Sequence, residues 1–181
     1  MEKPYSLDDY IADVNDYFYK EGIKKPSCIA HSFGGRVAIK IASRDKDFFN
    51  KLVLTGAAGL KPRPTLKKSI KKGVFNLLKH FLKKEKLEAF YSKDYLMLDE
   101  VMKKSFIKIV TEHLDYCLPL IENSTLIING IKDKETPPYF ARRLNKGIKN
   151  SKLIFIENAG HFAFIDKPNT FNMEVGKFLL S

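Results

Sequence analysis

The sequence predicts an α/β protein: a mostly parallel sheet of about four strands, helices on both faces, and a helical insertion. Three observations carry this. Short apolar runs alternate with segments whose apolar residues recur at helical spacing, the pattern of parallel strands joined by right-handed crossovers. One stretch, 61–118, changes texture and contains no clear strand. The 181 residues suffice for one domain with one sizeable core.

The elements follow in order. Ser6-Leu7-Asp8-Asp9 has the form of a capping box. Leu7, Tyr10, Ile11, Val14, Tyr17 and Phe18 then recur at helical spacing, and Gly22 is a stop, so a helix is expected over 6–21. Ser27-Cys28-Ile29-Ala30 is a buried strand. A helix runs from Gly34 to about Ser43. Lys51-Leu52-Val53-Leu54-Thr55 is a second strand, closed by Gly56-Ala57-Ala58-Gly59. Residues 61–118 are rich in Lys, Leu, Phe and Tyr and read as three or four amphipathic helices inserted between strands two and three. Alternation resumes with a strand at 125–129, a helix at 138–147 bounded by Pro138 and Gly147, a strand at 152–156 and a helix at 169–180. The expected organisation is therefore core at 1–60, insertion at 61–118 and core at 119–181.

The bulk numbers exclude several classes. No apolar run approaches the roughly 18 residues of a membrane span, and the N-terminus has neither the basic nor the apolar region of a signal peptide. Cys28 and Cys117 lie far apart, and no Cys/His cluster suggests a metal, so no cofactor is expected. Cys28 within an apolar strand reads as a buried free thiol, which fits a reducing compartment and a cytoplasmic location. The net charge of +11 is concentrated: 61–86 holds ten Lys or Arg against Glu85 alone. A Lys-rich solvated face explains this. Anion binding is the alternative, but no nucleic-acid motif supports a specific nucleic-acid partner.

Ala30-His31-Ser32-Phe33-Gly34-Gly35 follows a strand and opens a helix. A small-x-Ser-x-Gly corner in that setting is a nucleophile elbow, with small residues at Ala30 and Gly34 allowing close approach. A serine hydroxyl is a poor nucleophile at neutral pH and needs a base, which in turn needs orienting. In a parallel sheet these partners belong in loops after later strand ends. Asp133 lies in the loop after the third strand, where Glu135 is an equally good carboxylate by composition. His161 follows the fourth strand. Single loop residues of these types are commonly turn or structural residues. The order Ser…Asp…His past three strand ends is harder to dismiss. The loop at 56–59 offers no carboxylate. His31 adjoins the serine but is expected to point away from the base position, and His80 and His113 fall in the insertion.

At these residues the chain resembles the α/β-hydrolase superfamily over nearly its whole length. The elbow, Asn129-Gly130-Ile131-Lys132-Asp133 with Thr136-Pro137, and Ala159-Gly160-His161-Phe162 with Asp166-Lys167-Pro168 look like its three catalytic loops. The resemblance implies Ser32 as nucleophile, His161 as general base and then acid, Asp133 as the residue orienting His161, and the Phe33 backbone N–H as an oxyanion donor. It also implies a helical cap at 61–118, with Phe75, Leu78, Phe81, Phe90, Tyr91, Tyr95 and Phe106 available for an apolar lid or for the cap's own core. Ala30 stands where a glycine is more usual. The family's strands before the elbow, and the loop supplying a second oxyanion donor, are expected to be missing. The fold expected is thus a partial α/β-hydrolase fold with an open sheet edge suited to self-association.

Two functional readings follow. One is a serine hydrolase cleaving an ester or related acyl bond of a small apolar substrate, with C–C bond hydrolysis and perhydrolysis open to the same triad. The other is a truncated, non-catalytic hydrolase-like protein that binds a ligand or partner.

Overall fold

Four strands, β1 (Cys28–His31), β2 (Lys51–Thr55), β3 (Ser124–Gly130) and β4 (Ser151–Ile156), form a parallel sheet in chain order. The structure is a computed structural model that describes residues 3–63 and 97–181. Each strand lies within a residue of its expected bounds. Among the described residues the helices are α1 (Leu7–Lys20), α2 (Phe33–Arg44), α3 (Glu100–Thr111), α4 (Pro138–Gly147), a short α5 (Ala163–Asp166) and α6 (Pro168–Leu180). The six-residue 3-10 helix Asp115–Leu120 and α5 are additions that the sequence pattern did not announce.

The strands read as continuous apolar runs because both sheet faces are covered. Leu52 and Leu54 of β2, with Ile127 of β3, point to the face packed by α1, α2 and α4. Val53, Leu126 and Ile128 point the other way, against Phe171 and Val175 of α6. This period of two sorts one strand's residues into two cores. Lys51 Nζ donates to the carbonyls of Phe178 and Leu179, satisfying acceptors at the end of α6.

The chain divides into two compact units: 1–6 with 61–111, and Leu7–Leu60 with Glu112–Ser181. In the first, Asp99 Oδ1 accepts the Met102 N–H at 2.7 Å and caps α3, while Ser105 Oγ accepts the Tyr5 N–H at 2.9 Å. Phe106 is on α3. The lid residues expected at 75–95, and all of the basic window except 61–63, lie outside the described residues.

In the second unit, the chain leaves at Gly59 and Leu60 and is clamped where it returns. The Leu114 N–H donates to the Gly59 carbonyl at 2.8 Å, and Leu114, Cys117 and Leu118 enter the core. Beside this clamp, buried Lys40 of α2 pairs with Glu112 at 2.6 Å and Asp8 at 3.0 Å, and Arg36 Nη1 donates to the Glu112 carbonyl at 2.9 Å. Burial opposes charge on Lys40, but Glu112 and Asp8 outweigh it and raise its pKa. Burial likewise pushes the Asp8 carboxyl up, and hydrogen bonds from Arg44 and Lys40 overcome that and hold it below its ordinary value. Both cysteines are free thiols; Cys117 is buried, Cys28 half-buried, and burial raises the Cys28 pKa.

Among the described residues no helix is long and apolar enough to cross a membrane.

Candidate active site

Ser32 sits at the junction of β1 and α2 with φ 48° and ψ −110°. A non-glycine residue at positive φ is strained, and such strain persists only where the surroundings impose it. Here the Ser32 N–H donates to the Thr55 carbonyl at 3.2 Å, and its own carbonyl accepts from Gly35 and Ala58, each at 3.1 Å. The corner is thereby tied to β2, to the loop after β2 and to the first turn of α2. The close approach is one position later than expected. A Cβ at Gly34 would meet nothing within 4 Å, whereas one at Gly35 would come within 2.6 Å of the Ala57 Cβ.

The three candidate side chains converge from three strand ends. His161 Nε2 lies 3.1 Å from Ser32 Oγ, and His161 Nδ1 lies 2.9 Å from Asp133 Oδ2. An ionised carboxylate only accepts, so Nδ1 carries the proton and Nε2 is left to accept the Ser32 hydroxyl. The ring is nearly buried, with 7% of its side-chain surface exposed, and the Asp133 side chain is 0% exposed.

A buried carboxylate is costly unless its lone pairs are used. Asp133 uses them fully. Oδ1 accepts from the Glu135 and Thr136 N–H groups at 2.8 and 2.9 Å, and Oδ2 accepts from Thr136 Oγ1 at 2.8 Å as well as from His161. The two carboxylates that composition left equal are placed differently. Asp133 faces Nδ1 from the interior, whereas Glu135, 70% exposed, lies 3.6 Å from Nε2 on the opposite side of the ring.

The loops bearing Asp133 and His161 are built against each other. The Lys132 N–H donates to the Ala159 carbonyl at 2.9 Å, and the Ile131 N–H to the Ile156 carbonyl at 3.1 Å. Gly130 makes this possible: a Cβ there would lie 2.2 Å from the Gly160 carbonyl oxygen. Asp166 Oδ2 accepts the Gly160 N–H at 2.7 Å and fixes the backbone just before His161. Thr136, Gly130 and Asp166 were legible only as members of a motif; their supporting roles depend on distances across loops that spacing does not encode.

His31 differs from expectation. Its ring packs beside that of His161, with centroids 4.7 Å apart, and its Nε2–H donates to the His161 carbonyl at 3.1 Å. The alternation of a strand, which aims neighbouring side chains apart, does not extend through the sharp Ser32 corner. His31 therefore supports the histidine loop. His113 follows α3, in the unit that holds the sheet; His80 lies outside the described residues. Phe33 is the first residue of α2, so its N–H has no acceptor within the helix and stands beside Ser32. Among the described residues no three His, Cys, Asp or Glu side chains gather as a metal site requires.

Comparison with known proteins places the chain in a family and matches its fold. The family model described as serine aminopeptidase, S33 (Hydrolase_4), matches residues 4–168. The AB hydrolase superfamily protein YisY of Bacillus subtilis is 25% identical over 197 residues, covering 96% of this chain and 74% of that protein. Serine hydrolase BPHL of Mus musculus is 30% identical over 173 residues, covering 92% of this chain and 59% of its own length. A meta-cleavage product hydrolase from Pseudomonas fluorescens superposes with a TM-score of 0.71 at 24% identity, over 98% of this chain and 73% of that one, which is a likeness of fold. The chain thus spans from 59% to 74% of the length of these relatives.

Proposed function

The chain belongs to the α/β-hydrolase superfamily, in its serine aminopeptidase S33 family, and from that membership and the geometry around Ser32 we propose that it cleaves an ester or related acyl bond of a small apolar substrate. The observation that carries this reading is the continuous relay from Ser32 Oγ through His161 to Asp133, with contacts of 3.1 and 2.9 Å.

The steps follow from the protonation states. His161 Nε2 takes the Ser32 proton as Oγ bonds to the substrate carbonyl carbon, and the carbonyl π pair moves onto oxygen. The positive charge formed on the imidazole is matched by Asp133, which keeps its own proton count unchanged. The oxyanion is met by the Phe33 N–H at the positive end of the twelve-residue α2. Nε2 then gives its proton to the leaving atom as the acyl bond breaks. Water repeats the sequence: it loses a proton to Nε2, bonds to the acyl carbon, and Ser32 Oγ departs with that proton.

Each expected residue keeps its role in this proposal: Ser32 as nucleophile, His161 as base and acid, Asp133 as orienting group, and the Phe33 N–H as oxyanion donor. Family membership also favours reading 61–118 as a helical cap inserted between core segments 1–60 and 119–181. The outer edge of β1, where no described strand pairs and Ile29 is exposed, fits the reading that the protein self-associates there.

The test is direct. A neutral fluorophosphonate probe should label the folded protein at Ser32, read by intact mass and peptide mapping. Absence of labelling on protein with a cooperative melt would reject the hydrolase reading in favour of a non-catalytic ligand-binding protein.

A further inference from the structure

Glu135 is a carboxylate beside the candidate triad that the mechanism above does not use. Its Oε2 lies 3.6 Å from His161 Nε2, the nitrogen that also contacts Ser32 Oγ at 3.1 Å. Its backbone is not free to wander, because the Glu135 N–H donates to Asp133 Oδ1 at 2.8 Å. The buried carboxylate that orients the histidine thus also fixes the origin of the exposed one.

We propose that Glu135 is a specificity-determining residue that favours substrates whose leaving group carries a positive charge and disfavours those whose leaving group carries a carboxylate. The inference rests on the hydrolase reading and deepens it. Nε2 must protonate the leaving atom, so that atom comes within hydrogen-bond reach of Nε2. A charge a bond or two further along the leaving group then lies within about 6 Å of the Glu135 carboxylate. At that distance, in surroundings close to bulk water, one unit charge is worth roughly threefold in rate, favourable for a cation and unfavourable for an anion. Solvent exposure of Glu135 keeps the effect near this size. Lys132 and Lys134, both exposed on the same loop, offset Asp133 and Glu135, so the loop carries no net formal charge. The selection is therefore a matter of where Glu135 stands, not of the loop's net charge.

The experiment uses three phosphonylating probes that share one phosphonyl group. Their leaving groups are neutral, trimethylammonium-bearing and carboxylate-bearing. Second-order labelling rates of Ser32 are read by intact mass for the full chain, for Glu135→Gln and for Glu135→Lys. The wild-type protein should prefer the cationic over the anionic probe by about tenfold. Glu135→Gln should bring that ratio close to one, and Glu135→Lys should invert it. In the wild-type protein, 1 M salt should compress the ratio, because screening at that ionic strength acts over about 3 Å. An unchanged ratio in Glu135→Gln, with Ser32 still labelled by the neutral probe, overturns the selection and leaves the hydrolase reading standing. Failure of the neutral probe to label the wild-type protein overturns both.

Discussion

Two charged clusters lie in the sheet-bearing unit, and they are built on opposite plans. At the strand ends, Ser32, His161 and Asp133 are short side chains on sharp corners, held by backbone N–H groups and by one threonine. Along α2, Lys40, Arg36 and Arg44 are long side chains reaching across to Asp8 on α1 and to Glu112 where the chain returns. The first cluster spends no hydrogen bond on joining distant helices. The second exposes no nucleophile and fastens three segments together. Charge is therefore buried in one place beside a hydroxyl and an imidazole, which the proposed function reads as a proton path, and in the other to fix chain geometry. Changes in the first should alter rate far more than stability, and changes in the second the reverse.

The largest separation should come from Ser32→Ala. Probe labelling should vanish and turnover of any ester substrate fall by roughly 10⁶-fold, while the thermal melt stays close to wild type. Asp133→Asn comes next. The amide still fills the pocket but favours the wrong histidine tautomer, so kcat should drop by about 10⁴-fold. A wild-type rate in this variant would place the orienting carboxylate elsewhere. Glu112→Gln tests the other cluster. Lys40, with only 4% of its side chain exposed, loses a charged partner but keeps Asp8, so urea unfolding should register a loss of about 1–3 kcal/mol with the labelling rate of Ser32 unaltered. A fall in labelling instead would show that the clamp and the site are coupled.

The smallest effect concerns pH. The folded carboxyl of Asp8 is depressed, so its contribution is present above its ordinary value of 3.8 and disappears as pH falls through the lower folded value. Lys40 is raised, so its contribution is present below 10.5 and disappears as pH climbs through the higher folded value. The stability difference between wild type and Asp8→Asn should be flat across neutral pH and close at acid pH, by a small margin because Asp8 is half exposed. A difference that grows on acidification would contradict the assignment.

Much of this fold is written in local pattern. Strand bounds came within a residue because each strand is apolar on both faces and is stopped by turn-forming residues, a signal contained in a few consecutive letters. The meeting of Ser32, Asp133 and His161 was legible for a related reason: in a parallel sheet the strand ends share one edge, so order along the chain becomes proximity in space. What stayed hidden depends on contacts between loops. Nothing about Gly130 within its own segment says that the Gly160 carbonyl will pass against it. Asp133 and Glu135 are both acidic and two residues apart; only the turn that folds Asp133 inward assigns them to opposite nitrogens of one ring. The 3-10 helix at Asp115–Leu120 carries Pro119 and lacks amphipathic periodicity, so its burial could not be read from spacing.

The sheet adds its strands in the order in which the chain is written, β1 to β4, each pairing with the one before. During synthesis these four described strands can join one after another, with none of them waiting for a later one to be threaded between. Ser32 is laid down before Asp133, and Asp133 before His161. A nascent chain released before β4 and its following loop would hold Ser32 without His161. If Ser32 acts as proposed, interrupted translation would then yield silent polypeptide rather than an unregulated hydrolase.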